Sequence, residues 1–186
     1  MNENWFVGIP ITEATWFDER FDAPASDLWR VNPHDLHLSV AFLGAVGEEQ
    51  ARAAFRHTGR WKRGPIEASL GAIVPLGKSS KYGALVGLLS DGNSQAIQLI
   101  KTLRPHMLRE AGVSPQEGEP LPHITVMRAK RRAPRVQRQA GLEWARQLDL
   151  TGVPLVLRKM ALYTWREDRS VRRYRRVDTW ELEPRL

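Results

Sequence analysis

The 186-residue sequence contains no cysteine. Disulfide staples and thiolate metal ligands are therefore excluded, and the fold must be held by its core. No apolar run approaches the ~18 residues a membrane-spanning helix requires. The opening Met1-Asn2-Glu3-Asn4-Trp5 lacks the basic start and apolar centre of a secretory signal. Low-complexity stretches are missing too, and no linker is long enough to tether independent domains. These absences lead to the expectation of a cytoplasmic monomer without a membrane partner, folded as one bilobal domain over 1–186.

What the chain does have is core material and arginine. Hydrophobic residues make up 42% of it, seven of them tryptophan, which is enough for a sizeable core and argues against disorder. The net charge is +7, unevenly spread: residues 1–93 carry 9 Lys/Arg against 11 Asp/Glu, and residues 94–186 carry 19 against 10. The excess concentrates in Arg128 to Arg138 and Arg166 to Arg176. The guanidinium fork suits phosphate oxygens, so a polyanion such as RNA, or a nucleotide, is the partner this charge implies. A solvated basic face is the plainer alternative.

Only five histidines are present, and two of them head nearly identical tetrads. These are His37-Leu38-Ser39-Val40 and His123-Ile124-Thr125-Val126, 86 residues apart. In an extended strand side chains alternate between faces. His37 and Ser39 then share one face, opposite Leu38, Val40 and Phe42; His123 and Thr125 share one opposite Ile124 and Val126. Each tetrad thus presents an imidazole beside a hydroxyl on a strand whose back is buried, with Phe42 expected in the packing beneath. Two such pairs across a cleft supply an acid, a base and two hydrogen-bond donors, a set suited to a phosphate diester without a metal. Strict alternation sets Arg128 on the face opposite His123, and only a twist or bulge would bring it round.

Along the chain, strands are expected over 5–11, 36–43, 66–76, 82–88, 123–127, 155–164 and 173–182. Helices are expected over 48–58, from Asp91 or Asn93 as cap to 111 with Pro105 inside, and over 134–148. A charged loop follows at 165–172. Each tetrad strand is followed by a helix and a pair of strands, a loose duplication that implies an α+β protein. Its two similar lobes would line a central cleft with antiparallel sheets and keep the helices outside. Tyr82, Lys78 and Lys81 fall at a hairpin tip, Lys130, Arg131 and Arg132 in a solvated patch, and His34, His57 and His106 away from any ligand set.

The segments His37-Leu38-Ser39-Val40-Ala41-Phe42-Leu43-Gly44 and Pro122-His123-Ile124-Thr125-Val126-Met127-Arg128 resemble the paired His-x-Thr/Ser motifs of the 2H phosphoesterases. Within them the chain is similar to the RNA 2′,3′-cyclic phosphodiesterases, or 2′-5′ RNA ligases of the LigT type. Trp5-Phe6-Val7-Gly8-Ile9-Pro10 looks like that family's first strand and Leu162 to Leu182 like its last pair. Ser39 for threonine, Val40 and Val126 for leucine and Met127 for alanine depart from the pattern. The resemblance implies His37 as proton donor, His123 as proton acceptor, and Ser39, Thr125 and Arg128 as phosphate contacts, with no cofactor or metal. The reaction implied is hydrolysis of RNA 2′,3′-cyclic phosphate ends to 2′-phosphates, or its reversal as 2′-5′ ligation. Other activities of the same superfamily, on 2′-5′ oligoadenylate, RNA 3′ ends or small cyclic nucleotides, stay open, as does a nucleotide-binding module without turnover.

Overall fold

A computed structural model describes residues 4–116 and 118–183. The signal-peptide reading of Met1-Asn2-Glu3 and residue 117 of the loop before the second tetrad lie outside the described residues. The strands are β1 (Trp5–Pro10), β2 (Leu28–Arg30), β3 (His37–Gly44), β4 (Ile66–Leu76), β5 (Ala84–Leu89), β6 (His123–Ala129), β7 (Pro154–Leu157), β8 (Lys159–Trp165) and β9 (Tyr174–Glu181). The α-helices are α1 (Glu48–Arg56), α2 (Asn93–Glu110) and α3 (Arg135–Gln147). Among the described residues no helix is long and apolar enough to cross a membrane.

The strands join into one curled antiparallel sheet in the order β7-β4-β5-β6-β3-β1-β8-β9, with β2 paired to β6. That order is a palindrome of structural roles about the β3–β6 junction. Each tetrad strand has an inner partner, β1 or β5, then an outer pair, β8 and β9 or β4 and β7. The expected duplication is therefore present in space, but with its strand pairs exchanged. β4 and β5 follow the first tetrad in sequence yet flank the second, while β8 and β9 follow the second yet flank the first. This crossing ties the halves together without a linker.

The core lies between the sheet and the helices. α2 buries Ala96, Leu99, Ile100, Leu103, Met107 and Leu108, spaced three and four apart, against β3 and β4. α1 packs on β1, β8 and α2, and α3 on β4 and β2. Two expected boundaries differ. The N-cap of α2 is neither Asp91 nor Asn93 but Gly92, at φ +72°, where a Cβ would come within 2.8 Å of the Ala68 Cβ. Asp91 instead accepts the Ser69 hydroxyl at 2.6 Å. The single strand expected over 155–164 is two, because β7 pairs with β4 and β8 with β1 at opposite ends of the sheet.

Two residues expected at the surface are inside. Tyr82 is buried, and its hydroxyl donates to the Arg138 carbonyl at 2.8 Å. Arg138 is buried too: its guanidinium donates to the carbonyls of Tyr82, Lys130 and Arg131 and lies over the Tyr82 ring. The run from Arg128 to Arg138 is thus not wholly a solvated face; its last arginine clamps the turn that carries the others.

Candidate active site

The two tetrad strands touch at one rung, Leu38 opposite Ile124. Antiparallel register about that rung sets His37 beside Thr125 and Ser39 beside His123, within the ~5 Å of cross-strand neighbours. Each imidazole is therefore flanked by its own strand's hydroxyl and faces the other's. Neither hydroxyl makes a hydrogen bond among the described residues, so both can donate to a ligand.

Both strands then break alternation in the same way. Val7 pairs with Ala41 and Gly8 with Ser39, leaving Val40 as an extra residue in β3. Leu85 pairs with Met127 and Val86 with Thr125, leaving Val126 as an extra residue in β6. These are β-bulges at the same place, three residues after each histidine. Val40 with Ala41, and Val126 with Met127, are consequently buried as adjacent pairs. The fifth residue after each histidine is switched to the histidine's own face. In β6 that residue is Arg128, which lines a cavity of about 300 Å³ together with His37 and Thr125. In β3 it is Phe42, 53% exposed, its ring 5.9 Å from Phe6, which in turn lies 4.8 Å from the His37 ring. Phe42 is therefore not packed beneath the cleft, as alternation suggested, but lies on the cleft side.

The imidazoles are held alike. His37 Nδ1 is 2.6 Å from the Asp35 carbonyl, and His123 Nδ1 is 2.6 Å from the Leu121 carbonyl. A carbonyl only accepts, so each Nδ1 carries the hydrogen and each Nε2 is left to exchange a proton. The His37 ring sits among Phe6, Tyr163 and Tyr174, with centroids 4.8–5.5 Å away. Gly8 makes that possible: a Cβ there would meet the Leu38 carbonyl at 2.9 Å and the His37 ring at 3.4 Å. Burial pushes the His37 pKa down from 6.5 to about 4, against the pull of the Asp35 carbonyl, and the charges of Arg128 and His123 push the same way. Held that low, His37 is neutral at pH 7.

The far wall comes from the segment joining β8 to β9. Arg169, Ser170, Val171 and Arg173 line the cavity with Trp29, Asp35 and Tyr174. This segment is tied to the 3-10 turn that leads into β3 and His37: the buried Asp35 carboxylate accepts the Arg173 N–H at 2.7 Å, and Asn32 donates to the Val171 carbonyl at 3.2 Å. Arg173 also lies over the Trp29 ring at 5.3 Å. Ser39 and His123 stand half-exposed beside the cavity rather than in its wall. Asp35, Gly8, Tyr174 and the Leu121 carbonyl were not singled out in the sequence. Asp35 alone left a trace there, as a carboxylate two residues before the first tetrad.

No protein-family model matches the sequence, and no curated protein sequence matches it. Solved structures do. Escherichia coli LigT, crystallised with 3′-AMP, superimposes with a TM-score of 0.70 at 20% identity, covering 97% of this chain and 98% of LigT. The chain has the LigT fold. TT0787 of Thermus thermophilus shares it, with a TM-score of 0.72 at 19% identity over 96% of this chain and 97% of that one. Usb1 of Kluyveromyces marxianus follows with 0.58 at 11% identity over 98% of both. That fold has the α+β make-up, with an antiparallel sheet and helices outside it, that the paired motifs implied. LigT has also been crystallised with NADP+ and with ATP.

Proposed function

We propose that this chain is a phosphodiesterase that opens RNA 2′,3′-cyclic phosphate ends to 2′-phosphates by paired histidine acid–base catalysis, acting as one bilobal unit without a metal. The observation that carries the proposal is the rung between Leu38 and Ile124, which sets two imidazole–hydroxyl pairs on one face, with Arg128 added by the β6 bulge. A phosphate there would receive hydrogen bonds from Ser39 and Thr125 on its non-bridging oxygens and the charge of Arg128. His123 Nε2 takes a proton from water as its oxygen bonds to phosphorus. The bond from phosphorus to the 3′ oxygen breaks, and that oxygen receives the proton on His37 Nε2. One proton enters the pair and one leaves it. Bound phosphate brings the negative charge that lets His37 hold its proton. With an RNA 5′ hydroxyl in place of water, the same ring opening would form a 2′-5′ linkage.

The 3′-AMP, ATP and NADP+ complexes of LigT support a nucleotide as the ligand class, and the basic second half of this chain supports a longer RNA. The test is incubation of an RNA ending in a 2′,3′-cyclic phosphate with the protein in EDTA, followed by assignment of the product isomer. A 2′-phosphate is the expected product. Nucleotide binding without turnover would leave a binding module, and loss of activity in EDTA would overturn the chemistry.

A further inference from the structure

A bulge frees a carbonyl from its ladder, and that carbonyl must find another donor. In β6 the extra residue is Val126, and its carbonyl accepts the Val31 N–H at 3.0 Å, just beyond β2. In β3 the extra residue is Val40, and its carbonyl accepts from a side chain on the other side of the sheet: Arg104 Nε of α2, at 2.7 Å. The two halves thus solve one problem by different means. Arg104 is half-buried, and this is the hydrogen bond it makes among the described residues. Burial lowers its pKa, but a guanidinium keeps its charge, and the residue borders a cavity of about 430 Å³ beside the end of α2.

We infer that Arg104 is a positioning residue for the candidate site: its hydrogen bond to the Val40 carbonyl holds the β3 bulge, and so the facing of His37, Ser39 and Phe42, from the side of the sheet opposite the cleft. Without that donor the extra residue is not fixed, and a one-residue slip turns side chains to the wrong face. The effect on turnover rests on the function proposed above; the effect on His37 does not.

The test compares Arg104→Met, which keeps the stem and removes the donor, with Arg104→Gln, whose amide nitrogen stands at the same number of bonds as Arg104 Nε. In each, His37 is titrated by NMR and turnover of the cyclic-phosphate RNA is measured. Both variants remove the charge of Arg104, so a difference in His37 titration between them reports geometry and not that loss. In Arg104→Met the His37 midpoint should rise by about half a pH unit or more as water reaches the ring. Its kcat should fall about fivefold or more with KM within about twofold, roughly the loss of one hydrogen bond. Arg104→Gln should match the unmodified protein in both. An unchanged His37 midpoint in the methionine variant overturns the inference, as does a glutamine variant that behaves like methionine. Should the methionine variant not fold, the glutamine variant decides alone, an unchanged midpoint supporting the inference and a raised one overturning it. Should the protein not turn over cyclic phosphate, the titration still decides the role of Arg104.

Discussion

Charging His37 in the folded chain is costly, and the cost is measurable without any substrate. A histidine that ordinarily titrates at 6.5 and is held at about 4 by burial resists protonation by about 3 kcal/mol, or about 2 kcal/mol once water on the cleft side of the ring is allowed for. The unfolded chain bears no such cost. Below pH 6.5 the unfolded state therefore takes up this proton first, and the balance tilts toward unfolding. The contribution is fully present above pH 6.5, is lost between pH 6.5 and 4, and is flat below. Denaturant unfolding of the protein and of His37→Gln from pH 7 to 4 isolates it, because other titrating groups contribute to both. The difference in unfolding free energy should narrow, relative to pH 7, by about 2–3 kcal/mol across that range. Parallel curves would refute the claim that His37 is desolvated and neutral in the free site.

Other consequences follow from the same geometry. Arg128→Gln removes a positive charge that opposes protonation of His37, so the His37 midpoint should rise; an unmoved midpoint would put Arg128 off the cleft face. Gly8→Ala presses a methyl between the Leu38 carbonyl and the His37 ring. It should lower kcat about tenfold or more with a smaller loss of stability, and full activity would refute the tight contact. Gly141→Ala places a Cβ against the Tyr82 hydroxyl and within 2.9 Å of Leu28 Cδ1. The crowding, about 1–3 kcal/mol, should outweigh the ~1 kcal/mol that alanine gains in a helix and lower the melting temperature. A higher melting temperature would show that Tyr82 yields.

The motif strands were legible because a two-residue period, a histidine and a hydroxyl make a pattern that local chemistry alone explains. The bulges were not. Whether Val40 or Val126 is an extra residue depends on how many residues β1 and β5 offer opposite it, which is a property of pairing and not of the tetrad. Alternation alone therefore sets Phe42 beneath the cleft and Arg128 opposite His123, and the two bulges bring both round. Tyr82 and Arg138 look like surface residues one at a time. They are buried because a tyrosine hydroxyl and a guanidinium satisfy three carbonyls and the helix between them. The exchanged strand pairs were hidden because each pair reads the same in sequence whichever half of the sheet it joins.

The central claim is that two histidines from two strands act on one phosphate. A kinetic cycle tests it: turnover of a 2′,3′-cyclic phosphate RNA end by the protein, His37→Ala, His123→Ala and the double variant. Proton transfer by each histidine contributes about 10²–10⁴ in rate. If they act as one unit, each single variant should lose that much and the double variant little more. Independent, multiplying losses, or a single variant that retains full turnover, would contradict the account.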